Sequence, residues 1–234
     1  MNSKPTQYAS MAAAATLCGC VLALAASFAG SPSAWAQSAA STASPTPLMT
    51  QEAEIALALS ACPPSVASKA AVYVLGKSGY TKVRDSQNGF TAIVQHALPT
   101  SQDPQCMDEE GTRTLLPRYL KVAELRAQGK SPEEIKRFVA DAWAKGIFQA
   151  PTRPGVDYML STENRTPNEK GDVVPFPPHV MFYAPYLTNA ELGSDGPAGT
   201  GPAFIAAEGT PYALIIVPVG AHEGSSHTAG GKQQ

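Results

Sequence analysis

The chain contains none of the short motifs that mark the common enzyme families. It has no G-x-S-x-G nucleophile elbow, no phosphate-binding P-loop, no glycine-rich dinucleotide fingerprint, no C-x-x-C pair and no C-x-x-C-H haem attachment motif. These absences exclude the families that such motifs identify, and they leave other kinds of enzyme open. They also lead us to expect no cofactor and no metal site of standard spacing.

Charged residues are scarce as well. They make up 15% of the 234 residues, and 17 Lys and Arg against 19 Asp and Glu give a net charge of −2. No basic stripe is present, which argues against nucleic acid as a partner. After the N-terminal segment no apolar run reaches membrane length, so we expect no membrane association once that segment is removed. The sequence indicates no other partner and no oligomeric state.

The N-terminus has the pattern of an export signal. Lys4 precedes the apolar run at residues 11–30, and the A-x-A cleavage site of residues 34–36 follows. We expect cleavage before Gln37 and an exported protein, either periplasmic or extracellular. The alternative is a lipoprotein attached through Cys20 of "LCGC", and the apolar residues after that cysteine argue against it.

Small and polar residues flank one candidate domain. Residues 37–50, "QSAASTASPTPLMT", have the composition of a flexible linker, and residues 220–234 that of a disordered tail. The signal peptide is residues 1–36. Residues 51–219 are enough for one domain with a hydrophobic core.

Two of the four cysteines would leave with the signal peptide. The other two, Cys62 and Cys106, would stand in an oxidising compartment, which predicts one disulfide. Cys106 lies beside Asp108, Glu109 and Glu110, so a nucleophile and a metal ligand are alternatives. The acids would disfavour a thiolate, which argues against the nucleophile. For the acids themselves the alternatives are a Ca²⁺ site and a solvated acidic loop.

Period-two patterns predict several β-strands. Asn88-Gly89, between the second and third runs, favours a tight hairpin. The first three runs therefore predict a three-stranded antiparallel meander. Its strands are residues 71–75, 80–84 and 90–94. Further strands are predicted at residues 156–160, 179–184, 203–207 and 212–219.

A helical hairpin interrupts the strands. Leu116, Tyr119 and Leu120 begin an apolar stripe with helical spacing, and Ser131 to Glu134 form a capping box with proline at the first helical position. A short helix is also predicted for residues 51–61, and a loop for residues 96–111. The predicted fold class is α+β, an antiparallel sheet with the helical hairpin packed on one face.

Five segments occur together in a recognisable order. They are "NGFTAIV", "DPQCMDEEG", "DYMLSTENR", "PPHVMFYAPYLTNAELG" and "EGTPYALIIVPV". In this order the chain resembles a family of exported bacterial proteins that has no established reaction. In many members a cysteine follows the "NG-aromatic-T" motif, where this chain has Ala92. The resemblance therefore implies a bridge whose first anchor has moved to Cys62 while Cys106 is the second.

His179 is the ionisable residue of greatest interest. It follows two prolines and opens an apolar strand, and it would form an acid/base pair if Asp108 or Glu110 came near it. The alternative is a structural histidine that donates one hydrogen bond to a carbonyl. The tail segment "HEGSSH" misses the zinc motif H-E-x-x-H by one residue and lacks helix-forming residues.

Several other side chains in or near the shared segments have the chemistry of ligand recognition. Arginine suits carboxylate binding, and tyrosine offers a hydroxyl on an aromatic ring. The alternative is that the arginines pair with the local acids. These candidates are Arg113, Arg153, Tyr158, Arg165 and Tyr183.

Three hypotheses of function follow. The first is a non-catalytic binding or structural domain of the periplasm or cell exterior, because the sequence shows no catalytic constellation. The second is a small hydrolase-like enzyme that uses His179 with Asp108 or Glu110. The third is a metal-binding protein that uses the same residues.

Overall fold

The computed structural model of the protein describes residues 46–168, 170–194 and 201–219. The predicted signal peptide, Cys20, most of the predicted linker and the predicted tail lie outside the described residues. The described residues belong to one structural unit. None of their helices has the length and apolar character needed to cross a membrane.

Helices and strands alternate irregularly along the described chain. The helices are α1 (Gln51–Ser60), α2 (Pro64–Ala67), α3 (Glu109–Thr114), α4 (Leu116–Ala127), α5 (Pro132–Ala144) and α6 (Asn189–Leu192). The strands are β1 (Ala71–Gly76), β2 (Gly79–Arg84), β3 (Thr91–Gln95), β4 (Asp103–Met107), β5 (Val156–Met159), β6 (Arg165–Pro167), β7 (Val173–Pro175), β8 (His179–Tyr183), β9 (Phe204–Ala206) and β10 (Leu214–Pro218).

Side-chain caps fix the starts of several helices. Thr50 accepts a hydrogen bond from the backbone of Ala53 at the start of α1. Ser131 and Glu134 form the predicted capping box of α5, with both reciprocal hydrogen bonds present. Such caps satisfy backbone N–H groups that have no partner within the helix, and each contributes about 1 kcal/mol. The helices predicted at residues 51–61 and in the hairpin are therefore confirmed.

Eight strands form one mixed sheet in the order β2-β1-β3-β4-β5-β8-β10-β9. Every neighbouring pair is antiparallel except β1 and β3, which are parallel. Strands β6 and β7 form a separate antiparallel pair. The predicted α+β class with a mainly antiparallel sheet is confirmed.

The predicted meander is wrong in its third strand. β3 lies beside β1 instead of β2, so Asn88-Gly89 does not form a hairpin between β2 and β3. The loop is instead bonded to the segment before β1. Gln87 N–H donates to the carbonyl of Lys69, and the Asn88 side-chain amide donates to that of Val66. These bonds hold the loop against the segment before β1, so that β3 begins next to β1.

The prediction of a loop at residues 96–111 is also wrong. This segment contains β4, a central strand whose five residues are all buried, and the first turn of α3. Pro104 and the polar residues Asp103 and Gln105 hide the strand from a propensity reading, because proline and aspartate are depleted in strands. Cys106 therefore belongs to the core of the sheet.

The helical hairpin covers one face of the sheet, as predicted. Leu115, between α3 and α4, and Leu116 and Tyr119 of α4 are buried against Ile93 and Met107 of the sheet. α5 contacts α4, and its Trp143 ring stacks on Tyr212 with the ring centroids 5.5 Å apart. We call this side of the sheet the hairpin face.

The opposite face is covered in part by α1, and we call it the α1 face. Leu57 and Ala58 of α1 pack against Val72, Val74 and Ala92 of the sheet. Burial of such apolar side chains contributes about 25 cal/mol per Å² removed from water. Successive side chains of a strand point to opposite sides of the sheet, so residues on the hairpin face alternate with residues on the α1 face.

Candidate functional site

The predicted disulfide between Cys62 and Cys106 is present and joins the end of α1 to β4. Both sulfurs lie on the α1 face among buried apolar side chains. Ala92 is directly opposite Cys106 in the register of β3 and β4. A cysteine at position 92 would therefore also stand beside Cys106. The bridge removes Cys106 from thiol chemistry.

Asp108 ties the start of α3 to the start of β5. Its Oδ1 accepts a hydrogen bond from Gly111 N–H at 3.0 Å, and its Oδ2 accepts one from Val156 N–H at 3.0 Å. Its own N–H donates to the carbonyl of Val156. Asp108 is thus the N-cap residue of α3, a role in which a carboxylate satisfies free backbone donors.

Tyr183 of β8 completes the environment of Asp108. Its hydroxyl lies 3.0 Å from Asp108 Oδ1 and 3.0 Å from the carbonyl oxygen of Val156. Burial, followed by the nearby acids, raises the pKa of Tyr183 well above its ordinary value, so the hydroxyl is a donor. Two glycines make room for the ring. A Cβ on Gly111 would lie 2.1 Å from the Tyr183 oxygen, and one on Gly155 would lie 2.5 Å from the ring.

Glu110 is a buried carboxylate with a full set of donors. Oε1 accepts from Arg113 at 2.7 Å and from Thr152 N–H at 2.7 Å, and Oε2 accepts from Arg153 Nε at 3.1 Å. Burial alone would raise the pKa of Glu110, but these hydrogen bonds and charges outweigh burial and lower the pKa to about 2. The two guanidinium groups are about half exposed, whereas the carboxylate is only 2% exposed.

These residues form a cluster at the start of α3 that contains two hydrogen-bonded groups, Asp108 with Tyr183 and Glu110 with the two arginines, and each carboxylate oxygen has a donor from within the chain. We call it the closed cluster. Its members are Asp108, Glu110, Arg113, Arg153 and Tyr183.

His179 does not hydrogen-bond to Asp108 or Glu110 within the described residues. It lies at the start of β8, four residues before Tyr183, a separation of about 13 Å along a strand. Its ring is buried, and Nδ1 lies 3.0 Å from the carbonyl oxygen of Pro177. The acid/base pairing of His179 with either acid therefore stays a prediction for which this structure provides no contact.

The tautomer of His179 follows from that hydrogen bond. A carbonyl oxygen only accepts, so Nδ1 carries the proton and Nε2 of the neutral ring has a free lone pair. Burial lowers the pKa of His179, which favours the neutral ring. Phe176 packs against the ring with its centroid 5.5 Å away.

A second group of buried side chains lies around His179 on the sheet, and the sequence did not predict it. Met159 of β5 is directly opposite His179, and Asp157 of β5 is directly opposite Met181. All four side chains are buried on the hairpin face. We call this group the open cluster, because the carboxyl group of its Asp157 has no hydrogen-bond partner. Its members are Asp157, Met159, His179 and Met181.

Asp157 is fully buried, and neither of its carboxylate oxygens has a hydrogen-bond partner. Burial raises the pKa of Asp157 well above its ordinary value, and the nearby backbone N–H of Cys106 opposes this shift without forming a hydrogen bond of normal geometry. Two further buried acceptors also lack partners, Gln105 Oε1 on the same face of β4 and Asn164 Oδ1 between β5 and β6. Unsatisfied buried polar atoms are rare in folded proteins, and a bound water, ion or ligand is a common explanation for them.

The predicted ligand-binding residues do not converge on one pocket. Arg113, Arg153 and Tyr183 belong to the closed cluster. Tyr158 lies on the opposite face, stacked on Phe90 with ring centroids 6.3 Å apart. Arg165 starts β6 and bonds to its own neighbours, including Glu163 at 3.0 Å. The arginines therefore pair with local acids, the alternative that the sequence left open.

Two surface hollows are present elsewhere. One of about 430 Å³ lies between α4 and α5, beside Leu125 and Phe138. The other, of about 330 Å³, is lined by Leu48, Met49 and His96 among others. Neither includes a residue of the closed or the open cluster. In the described ranges no three His, Cys, Asp or Glu side chains lie close enough to hold a metal ion.

Comparisons with known proteins give no relative against which to read these two clusters. No protein-family model, no curated protein and no solved structure matches the chain.

Proposed function

We propose that this chain is an exported, non-catalytic binding domain in which the closed cluster holds the fold together. The observation that carries this proposal is the saturation of Asp108 and Glu110. Every oxygen of the two carboxylates accepts a hydrogen bond from within the chain. A catalytic acid or base needs a site within hydrogen-bond reach of the proton that it transfers.

The pKa of Glu110 supports the same proposal. A general base works best when its pKa lies near the working pH, and the Glu110 carboxylate, with a pKa of about 2, is far below it. The sequence motif of acids beside Cys106 is thus accounted for by helix capping, ion pairing and a disulfide.

Export is supported by two independent features. The N-terminal residues have the pattern of a cleavable signal. The disulfide is of the kind that persists in oxidising compartments. The intact mass of the exported protein, alkylated with and without prior reduction, tests both. We expect a chain that begins at Gln37 and takes up label only after reduction, and label uptake without reduction would contradict the proposal.

A binding role is favoured over a purely structural one by the open cluster. A domain selected only for stability would have no use for a buried carboxyl group without a donor, since leaving such a group unsatisfied costs about 1–3 kcal/mol. Asp157 in its present environment is therefore best explained as a group that meets its partner when a ligand binds.

A thermal denaturation screen of the mature chain tests the binding proposal. The panel contains soft and hard metal ions, small anions, sugars and short peptides, each in excess. We expect at least one class to raise the melting temperature, since a ligand at 100 times its Kd adds about 2.7 kcal/mol of stability. The variant E110Q should melt lower but keep the same shift. The absence of any shift across the panel would count against a binding domain.

A further inference from the structure

The open cluster places three donors of one chemical kind on one face of two paired strands. Met159 and His179 are directly opposite each other in antiparallel β5 and β8. The Cβ atoms of such a pair are about 5 Å apart. Met181 is two residues after His179 on the same face, and is diagonal to Met159 at about 7 Å. Two thioethers and one imidazole are therefore within reach of a common point.

The imidazole is already prepared as a ligand. The Pro177 carbonyl holds the proton on Nδ1 and leaves Nε2 with a free lone pair. Histidines that bind metals usually donate their other ring N–H to a carbonyl or carboxylate, which fixes the tautomer and the ring orientation. Phe176 further restrains the ring of His179. Within the described chain Nε2 has no hydrogen-bond partner.

Asp157 provides the second, independent indication of a ligand. It lies between Met107 and Met181 in the register of β4, β5 and β8. It is completely buried, and both of its oxygens are unpartnered. The thioether side chains of Met107 and Met181, directly opposite Asp157, offer it no hydrogen-bond donor. A cation bound beside Met181 would give a carboxylate at Asp157 the opposite charge that it lacks.

We propose that Met159, His179 and Met181 bind a soft monovalent metal ion, Cu(I), with the Asp157 carboxylate as its buried counter-charge. Thioether sulfur is a soft ligand that selects Cu(I), and imidazole also suits copper. Zinc and calcium prefer thiolate, imidazole and oxygen ligands, and no group of three such residues is assembled in the described ranges. This inference rests on the proposed function and names the ligand class of the binding domain.

The proposed site does not include the histidines of the tail. His222 and His227 lie outside the described residues, and their spacing in "HEGSSH" does not match a zinc motif. They would nevertheless bind added metal weakly in any assay. A test of the open cluster must therefore compare it with a tail variant.

Competition for Cu(I) against the chromogenic chelator bathocuproine disulfonate tests the proposal. The mature chain, with its disulfide oxidised, is titrated without oxygen in the presence of ascorbate, and the loss of the coloured chelate is read by absorbance. The variants H179Q, M159L and M181L remove one ligand each. The controls are M49L, which changes an exposed methionine, and the tail double variant H222Q/H227Q.

We expect the wild type and both controls to take up one equivalent of Cu(I). Each ligand variant should bind at least about tenfold more weakly, because even outer-shell changes around a metal cost 10–100-fold. Leucine conserves the volume of methionine, so the two methionine variants decide the question if H179Q folds poorly. Far-UV circular dichroism and thermal melts establish which variants are folded.

Two results would overturn the proposal. One is a wild type that takes no Cu(I) from the chelator, and the other is uptake that M159L and M181L leave unchanged. If the thermal screen finds another class of ligand while Cu(I) does not bind, the proposed binding function is retained and the proposed copper site is rejected. If the screen finds no ligand of any class, the proposed function itself fails.

Discussion

The closed cluster at the start of α3 and the open cluster on β5 and β8 have opposite hydrogen-bonding states. In the closed cluster every carboxylate oxygen has a donor within the chain. In the open cluster both oxygens of Asp157 have none. A buried acid with all its donors stabilises a fold, whereas one without donors lowers stability. The closed cluster thus contributes to the stability of the fold, whereas Asp157 in the open cluster lowers it unless a ligand provides a partner.

The position of each cluster explains its state. Asp108 and Glu110 stand at the start of α3, where free backbone N–H groups and two half-exposed arginines are at hand. Asp157 lies in the middle of a sheet, where the ladder uses the backbone donors of both neighbouring strands. Its nearest neighbours on the same face are methionines. The side chains directly opposite Asp157 therefore supply no hydrogen-bond donor.

Removal of the disulfide should have the largest effect, because β4 supports both clusters. The variant C62A/C106A loses a bridge between residues 44 apart in sequence. In the chain-entropy model this costs about 4 kcal/mol of unfolding free energy. Urea denaturation of the oxidised protein and of the variant measures the difference. A loss below about 1 kcal/mol would show that the bridge does not anchor β4, since disulfides typically contribute about 2–4 kcal/mol.

Neutralising Glu110 should have the next largest effect. The variant E110Q weakens hydrogen bonds to two guanidinium groups and should lose about 2–3 kcal/mol of stability. The matched control is E109Q, which alters an exposed carboxylate on the same helix that also contacts Arg153. The control should change stability by less than about 0.5 kcal/mol. Equal losses in the two variants would refute the special role of the buried acid.

The two clusters should respond to pH in opposite directions. The pKa of Glu110 is lowered to about 2, so its contribution is full above its unfolded pKa of 4.5 and is lost as pH falls toward 2. The pKa of Asp157 is raised, so its folded state holds a proton that the unfolded chain releases. Stability from Asp157 is therefore lost as pH rises above 3.8, by at most about 1.4 kcal/mol per pH unit.

Urea denaturation from pH 2 to pH 9 separates these contributions. E110Q should flatten the acidic limb of the stability curve, and D157N should flatten the limb on which stability falls with rising pH. The ionisable groups that interact with Asp157 by charge are Asp108, Tyr119 and Tyr183, and none of them is a cation. An unchanged slope in D157N would mean that this carboxyl group has a partner.

The smallest expected effect is that of the Tyr183 hydroxyl. Y183F removes one donor to Asp108, whose Oδ1 still accepts from Gly111, and should cost about 1 kcal/mol. The control is Y186F, since Tyr186 is 59% exposed. Thermal melts of the two variants compare them. A larger fall in melting temperature in Y186F than in Y183F would contradict the hydrogen bonds assigned to the closed cluster.

Much of the fold was predictable because its signals are local. The capping box at Ser131, the helical spacing from Leu116 and the alternation in "HVMFY" depend only on neighbouring residues. The disulfide was predictable because only two cysteines follow the predicted signal peptide. The strand order was not predictable, because β3 lies beside β1 and the loop before β3 hydrogen-bonds to residues 66–69, about 20 residues away in sequence.

The candidate site was predictable only in part. His179 could be singled out from its type and its place after two prolines. Its neighbours could not, because Met159 and Asp157 reach it through the pairing of β5 with β8, which are about 20 residues apart. Alternation does place Asp157 with Met159, and His179 with Met181, on common faces of their strands. A search for methionines on such faces would have found each of these two pairs, but not that the two strands lie side by side.

Nitrogen-15 NMR of His179 tests the central contrast between a satisfied and an unsatisfied cluster most directly. The resonances are assigned with H179Q and followed as one equivalent of Ag(I), a redox-stable substitute for Cu(I), is added. We predict a neutral ring with the proton on Nδ1 in the free protein, and a shift of Nε2 on addition of silver while Nδ1 keeps its proton. A proton on Nε2, or silver shifts confined to His222 and His227, would contradict the account.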